Sequence, residues 1–134
     1  MRQRSKINQL LFRAFIVTLP IVFSSVLALA QAEFSFEEKT HKFSPTKAGA
    51  LLEHDFEFSN VGNAPLLIDH VSVTCPCTKC DYTKEPILPG EKSVIHITFD
   101  TKDKIDFQNR VVSIYSNTSK NPTKIRFKVL ITRD

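Results

Sequence analysis

All three cysteines of the chain lie within the stretch Thr74–Cys80, which reads TCPCTKC. Thiols at this spacing can form a local disulfide, bind a soft metal ion or exchange disulfides with another molecule. The three chemistries need different surroundings. The compartment of the protein and the elements that hold Cys75, Cys77 and Cys80 therefore bear on the choice among them.

A local disulfide is the first interpretation of the cysteine cluster. In an extended strand the Cα atoms of Cys75 and Cys77 would lie about 6.5 Å apart, at the edge of disulfide geometry. Pro76 has no N–H group, which favours an early turn that could bring Cys80 back towards them. We therefore predict a bond from Cys80 to Cys77 or Cys75, with the remaining thiol free or metal-bound.

A metal site and a redox site are the alternatives. Cys75, Cys77 and Cys80 offer three thiolates for Cu(I) or Zn(II), and His70 is the only histidine within sequence reach as a fourth ligand. A structural zinc site usually draws its ligands from two separated pairs, whereas here there is one cluster. Cys77 and Cys80 also have the Cys-x-x-Cys spacing, and Lys79 could lower a thiol pKa, but no helix is predicted after Cys77. The sequence leaves all three interpretations open.

The first thirty residues have the layout of a secretory signal peptide. A basic start without acids precedes an apolar run from Ala14 to Leu29 that ends in small residues. We expect cleavage of residues 1–30 after Ala30, or after Ala32; an uncleaved anchor is the alternative, because the run is near the shortest length that spans a bilayer. Export predicts a periplasmic or secreted domain, transient membrane contact through the signal peptide, and an oxidising compartment where disulfides persist.

The net charge of +4 belongs to this targeting segment. Its Arg2, Arg4, Lys6 and Arg13 are the excess of the 18 basic over the 14 acidic side chains, so the remainder of the chain is neutral. A neutral domain lacks the basic character expected for nucleic-acid binding. Nucleic acid is therefore not an expected partner.

From about residue 33 onwards the hydrophobic pattern alternates with a period of two. The clearest runs are LLEHDFEFSN, SVIHITFD and TKIRFKVLIT, and further strands are expected at about 33–43, 65–75 and 107–117. A shift of the apolar positions between Ile68 and Val71 predicts a bulge near Asp69 and His70. Short strands separated by turn residues at this spacing predict an all-β sandwich of about seven antiparallel strands over residues 33–134.

The other polar residues form no recognisable catalytic set. His54 falls on an apolar strand face, where a hydrogen-bonded core or rim histidine is expected rather than a ligand. His96 falls on a polar face, and His41 has no visible partner. No Ser/His/Asp arrangement, paired carboxylate site or glycine-rich phosphate loop is present. The sequence therefore predicts neither an enzyme nor a bound cofactor, apart from the possible Cu or Zn.

A longer set of motifs resembles a known family, the domain of unknown function 1573, found in exported bacterial proteins. The resemblance lies in the phenylalanine-rich strand ending in Asn60-x-Gly62, the Cys75-x-Cys77-Thr78 step, the turn from Pro86 to Glu91 and the strand end at Ser116-Asn117. It implies an immunoglobulin-like β-sandwich akin to the domains of pilus chaperones, and it implies no activity. Pro76 replaces the family's usual glycine, and Cys80 lies outside the family motif.

Together these features predict a non-enzymatic role. We expect an exported interaction or scaffolding module of the cell envelope, whose partner is a protein or an envelope component. The alternative is a Cu- or Zn-binding or thiol-redox protein that uses Cys75, Cys77 and Cys80.

Overall fold

The computed structural model describes residues 29–133. The predicted signal segment falls almost wholly on residues 1–28, which lie outside the described residues. Within the described part, no helix is long and apolar enough to cross a membrane.

Within residues 29–133, nine strands form two sheets that pack face to face. The front sheet has the order β1-β4-β7-β6, and the back sheet has the order β2-β9-β8-β5, with β3 also on β9. In chain order the strands are β1 Phe34–Phe36, β2 Thr40–Lys42, β3 Thr46–Lys47, β4 Leu51–Asn60, β5 Ile68–Val73, β6 Thr78–Tyr82, β7 Lys92–Asp100, β8 Asp106–Ser116 and β9 Thr123–Thr132. The orders β1-β4-β7-β6 and β9-β8-β5 are those of a constant-type immunoglobulin sandwich, and the predicted fold class is confirmed. The short strands β2 and β3 are additions that pair parallel with β9, whereas only antiparallel strands were predicted.

The alternating sequence pattern explains which faces meet. Phe56 of β4, Phe99 of β7 and Phe127 of β9 are fully buried between the sheets. Their sequence neighbours point outwards, as the period of a strand requires. Each large apolar side chain buried in this way stabilises the fold by about 1.5–3 kcal/mol.

The structure differs from the predicted strands at three places, of which the smallest is the unpredicted two-residue strand β3. The expected first strand at 33–43 is broken, because the chain leaves the front sheet after Phe36 and joins the back sheet at Thr40. Strand β6 was not predicted, because only Thr78, Cys80 and Tyr82 face inwards and none of them is a typical apolar residue. The bulge is confirmed, since the register of β5 shifts between Ile68 and His70.

Candidate functional site

Cys75 and Cys77 lie in the turn that carries the chain from β5 in the back sheet to β6 in the front sheet. Cys75 and Cys77 are bonded to each other, and their Cα atoms are 5.1 Å apart. Cys80 is free. The structure thereby corrects the predicted pairing of Cys80 with Cys77 or Cys75. The expectation assumed an extended backbone, but Pro76 and Cys77 form a turn closed by a hydrogen bond from Thr78 N–H to the Cys75 carbonyl.

Cys80 is held away from this turn by its strand. It lies in β6 opposite Ile97 and packs against the core. Burial, with a smaller contribution from Asp81, raises the pKa of its thiol to about 11. Only about one thiol in 10⁴ is then a thiolate at neutral pH, and the thiolate is the reactive form. This environment is unfavourable for thiol–disulfide exchange by Cys80.

His70, the predicted fourth ligand, is engaged elsewhere. Its ring stacks on Tyr115 with centroids 4.4 Å apart, and its Nδ1 lies 2.6 Å from a carboxylate oxygen of Asp69. Within residues 29–133, His70 and the three cysteines do not form a group of converging ligand atoms. Copper or zinc binding by the reduced cysteines stays a prediction.

A different group of ligand atoms does converge, and sequence reasoning missed it. Glu38, His41 and His54, named here the histidine edge, place one potential donor atom each within 4.8 Å of one another. Oε1 of Glu38 lies 2.8 Å from Nδ1 of His41 and 2.8 Å from Nε2 of His54. The three-residue spacing of Glu38 and His41 was visible in the sequence, but their proximity to His54 depends on the crossing of the chain between sheets.

The two rings of the histidine edge are in direct contact. His41 and His54 stack with centroids 3.5 Å apart and planes 12° apart. The ring of His54 also meets Phe56 edge-on at 4.8 Å. Burial and the proximity of His41 lower the pKa of His54, against the opposing influence of Glu38. At neutral pH the ring of His54 is therefore mostly neutral.

His54 also carries an unsatisfied ring nitrogen. Its Nε2 is buried and has no hydrogen-bond partner of acceptable direction, although Oε1 of Glu38 is close. The same carboxylate oxygen already accepts the hydrogen bond of His41 when Nδ1 carries the proton. The two stacked rings thus compete for one carboxylate oxygen. That oxygen makes a well-directed hydrogen bond with His41 but not with His54. A buried polar atom without a partner is costly to a fold, and such atoms are rare in native proteins.

The Asn60-x-Gly62 motif forms a second polar cluster at the other end of β4, named here the amide corner. The buried side chain of Asn60 donates to the carbonyls of Ala64 at 2.8 Å and Ile87 at 2.9 Å. Its oxygen accepts from the N–H groups of Gly62 at 3.0 Å and Glu33 at 3.3 Å. All the groups involved are neutral and paired, so this corner has a structural role.

The segment before β1 closes over the amide corner. Gln31 exchanges hydrogen bonds with Asn63, and Ala32 is only 2% exposed. A Cβ atom on Gly62 would lie 2.1 Å from the carbonyl oxygen of Gln31 and 2.7 Å from Cα of Ala32. Glycine is therefore required here by the close approach of two backbones.

The outer faces of the two sheets carry opposite charge. In β4, the outward side chains Glu53, Asp55 and Glu57 give the front face an acidic row. In the back sheet, the outward side chains of β2 and β9 give a basic row, named here the basic face: Lys42, Lys124, Arg126 and Lys128. Within the described part of the chain, no ion pair engages Lys42, Lys124 or Lys128.

The basic face has an apolar neighbour and a cavity at its ends. Phe107 of β8 pairs in register with Leu130 of β9, and the two are 56% and 45% exposed. A cavity of about 310 Å³ lies beyond the other end of β9, where Lys39, Lys120 and Lys124 contribute to its lining. Positive charge beside exposed aromatic surface suits an acidic partner with some apolar area.

The position of His96 on a polar strand face suggested a solvated side chain. In the structure its ring is instead paired with carboxylates. On the front face its Nδ1 lies 2.5 Å from a carboxylate oxygen of Asp55, and its Nε2 lies 3.9 Å from Glu53. Asp81 is its cross-strand neighbour on the other side. The hydrogen bond to Asp55 is the main reason that the pKa of His96 is raised. The carboxylates around His96 therefore favour its protonated, positively charged form.

These features define an immunoglobulin-like β-sandwich domain. The chain belongs to the family described as "Protein of unknown function (DUF1573)", which matches residues 34–131. The resemblance drawn from the sequence is thereby confirmed. No curated protein matches the chain.

Solved structures with the same fold come from distant organisms. A protein of unknown function from Porphyromonas gingivalis W83 is similar with a TM-score of 0.66 and 19% identity; the match covers 81% of this chain and 50% of that protein, so the chain spans half its length. The PapD-like domain 7 of human CEP192 is similar with a TM-score of 0.63 and 12% identity, covering 78% of this chain and 88% of that domain. The secreted serine protease VesC of Vibrio cholerae is similar with a TM-score of 0.58 and 12% identity, covering 73% of this chain and 23% of the protease. At these identities the likeness shows the fold alone.

Proposed function

We propose that the protein is an exported, non-enzymatic interaction module that binds an acidic protein of the cell envelope through its basic face. The observation that carries the proposal is the opposite charge of the two outer faces in a domain that is neutral from residue 31 onwards. Among the residues that the structure describes, Lys42, Lys124 and Lys128 have no internal ion pair to break on binding, so their charge is available to a partner.

The exposed pair of Phe107 and Leu130 makes a protein the favoured partner. Aromatic side chains such as Phe107 are enriched at the centre of protein interfaces, and charged side chains around such a centre supply orientation and association rate. A purely electrostatic contact would not need Phe107 to be 56% exposed. The cavity beside Lys120 and Lys124 extends the same surface and could receive an acidic side chain or chain terminus.

Two matched charge reversals test this assignment. Lys124→Glu with Lys128→Glu changes the basic face, and Glu53→Lys with Glu57→Lys makes a change of equal size on the front face. Retention of each variant on an isolated cell-envelope fraction is measured at low and moderate salt, with thermal unfolding as the check on folding. We expect at least about a tenfold loss for the basic-face variant, and no loss for the front-face variant. Equal loss in both variants, or no retention of the unaltered protein, would contradict the proposal.

Protease treatment of the envelope fraction tests the chemical nature of the partner. We expect the treatment to abolish retention, because the partner is a protein. Retention that survives the treatment would show that the basic face binds a lipid or a polysaccharide, and would overturn this part of the proposal. Replacing Phe107 with serine should weaken retention at all salt concentrations, since the apolar contribution is not screened.

The absence of catalysis is tested separately. A redox enzyme needs a reactive thiolate, but Cys75 and Cys77 are bonded to each other and the thiol of Cys80 is buried with a raised pKa. We expect no turnover of small thiol or disulfide substrates by the purified protein. Turnover that disappears on Cys80→Ser or Cys77→Ser substitution would show that the protein is an oxidoreductase.

A further inference from the structure

The histidine edge lies where the sandwich is open at its side. Strand β1 pairs with only the last three residues of β4, Phe58–Asn60, so the first half of β4 has β7 as its single neighbour in the front sheet. The chain then crosses through Glu37–Lys39 to the back sheet, where His41 sits in β2 opposite Phe127. His54 on β4 and His41 on β2 therefore face each other across the gap between the sheets.

The surroundings of this gap are apolar on the inside. The ring of Phe43 meets His41 edge-on at 4.6 Å, and Phe56 meets His54 edge-on at 4.8 Å. Glu38 closes the gap from the outside, with a side chain that is 46% exposed. A carboxylate and two imidazoles are thus held between an aromatic floor and solvent. Low polarity on one side strengthens the attraction between such ligands and a cation.

The donor atoms are close to the spacing that a bound metal ion needs. A tetrahedral ion with bonds of about 2.0–2.1 Å holds its ligand atoms about 3.3 Å apart. The two rings are stacked and nearly parallel, so they must tilt apart for both ring nitrogens to point at the ion. Oε1 of Glu38 is 2.8 Å from each ring nitrogen, so the carboxylate must also withdraw by about half an ångström. Glu38 can do so because it lies outside every strand. The ion would also give Nε2 of His54 the partner that it lacks.

We propose that Oε1 of Glu38, Nδ1 of His41 and Nε2 of His54 form a binding site for a divalent transition-metal ion, with Zn²⁺ as its favoured occupant. Two imidazoles and one carboxylate are a ligand set that suits Zn²⁺, whereas Mg²⁺ and Ca²⁺ prefer oxygen ligands alone. Three protein ligands leave a fourth position for water or for a side chain of a partner. The ion connects the crossing segment and β2 to β4, and so holds the open side of the sandwich together.

Zinc binding by the full chain tests the proposal, with Zn²⁺ alone as the probe. Isothermal titration calorimetry after chelator treatment should show one ion per chain. His54→Gln and His41→Asn should each weaken binding by at least about 30-fold, and Glu38→Gln by about tenfold. His96→Gln is the matched control: His96 also lies beside carboxylates, but on the outer face, and its loss should leave binding unchanged.

Two further measurements distinguish the histidine edge from zinc binding by the cysteines or by other surface groups. Zn²⁺ at 100 times its Kd should raise the Tm by roughly 10 °C, and the Glu38→Gln variant, with its tenfold weaker binding, should lose about half of this rise at the same Zn²⁺ concentration. A variant with Cys75, Cys77 and Cys80 all changed to serine should still bind. Binding that is lost in the cysteine variant would overturn the proposal. So would binding that is kept in His41→Asn and His54→Gln, or an absence of saturable binding.

Discussion

The amide corner and the histidine edge lie at opposite ends of the same strand, β4, and both fix a segment that precedes it. At the amide corner, Asn60 accepts a hydrogen bond from the N–H of Glu33, and Asn63 exchanges hydrogen bonds with Gln31. At the histidine edge, His54 meets the crossing segment and β2. The first cluster uses neutral groups that all have partners. The second uses titratable groups, of which one buried nitrogen has none.

This difference indicates where function is to be sought. The motif residues Asn60 and Gly62, through which the sequence resembles the family, have structural roles. The side chain of Asn60 already makes four hydrogen bonds within the domain, and Gly62 packs against the backbone of Gln31 and Ala32. The residues proposed to bind a metal ion, Glu38, His41 and His54, belong to no motif. A satisfied polar cluster stabilises, whereas an incompletely satisfied one is available for chemistry.

The largest effect is expected at Gly62. Changing Gly62 to alanine should destabilise the protein by about 3 kcal/mol or more, because the new Cβ would meet the backbone of Gln31 and Ala32, which cannot move aside cheaply. Chemical denaturation measures the change. Gly49→Ala is the control: it has open space but a φ of +94°, so a strain of about 1 kcal/mol is expected. Equal effects at the two glycines would refute a packing role for the amide corner.

The second-largest loss in the free energy of unfolding is expected at Asn60. Asn60→Ala removes four side-chain hydrogen bonds and leaves the carbonyl of Ile87 without this donor in a buried site. We expect a loss of about 2–4 kcal/mol in the free energy of unfolding. Asn117→Ala, which removes two hydrogen bonds at an exposed position, should cost less than half as much. A smaller effect at Asn60 than at Asn117 would show that the amide corner does not hold the fold.

The amide corner also bears on the predicted cleavage. A chain that starts at Glu33 lacks the buried Ala32 and both hydrogen bonds between Gln31 and Asn63. It should be less stable than a chain that starts at Gln31 by about 1–2 kcal/mol. Mass spectrometry of the mature protein shows which of the two predicted starts, Gln31 or Glu33, is used. A start at Glu33 with undiminished stability would count against the role of this segment.

The smallest effect is expected for His96, a histidine outside both clusters. Its pKa is raised from 6.5, chiefly by the hydrogen bond to Asp55. The charged ring stabilises the fold fully below pH 6.5, and this contribution is lost as the pH rises through the folded-state pKa. The stability advantage of the unaltered protein over His96→Gln should therefore shrink as the pH increases above 6.5, and shrink further in salt. An advantage that grows with pH would have the wrong sign.

Much of the fold followed from the sequence because alternation is a local property. The inward positions of β4, β7 and β9, and the bulge near Asp69, could be predicted from apolar spacing alone. The pairing of the cysteines could not, because the Cα distance from Cys75 to Cys77 depends on whether Pro76 lies in a strand or in a turn. Strand β6 escaped prediction for a related reason, since its inward residues Thr78, Cys80 and Tyr82 are not strongly apolar.

The candidate metal site could not be predicted from the sequence. His54 was predicted to be a hydrogen-bonded core or rim histidine rather than a ligand, and the proposed site gives it the other role. The proximity of His54 to His41 arises because the expected strand at 33–43 is divided between the two sheets. The alternation of apolar residues in the sequence does not indicate such a division. The charge separation of the two faces was likewise hidden, because acidic β4 and basic β9 cancel in the net charge.

The most direct test of the contrast between the two clusters is thermal unfolding of Asn60→Ala and His54→Gln, each with and without Zn²⁺. Asn60→Ala should lower the Tm under both conditions by roughly 10 °C or more and keep the zinc-induced rise. His54→Gln should change the metal-free Tm by only a few degrees and lose at least about two-thirds of the zinc-induced rise at the same Zn²⁺ concentration. The reverse pattern, with the zinc response lost at Asn60 and kept at His54, would contradict the assignment of structure to one cluster and metal binding to the other.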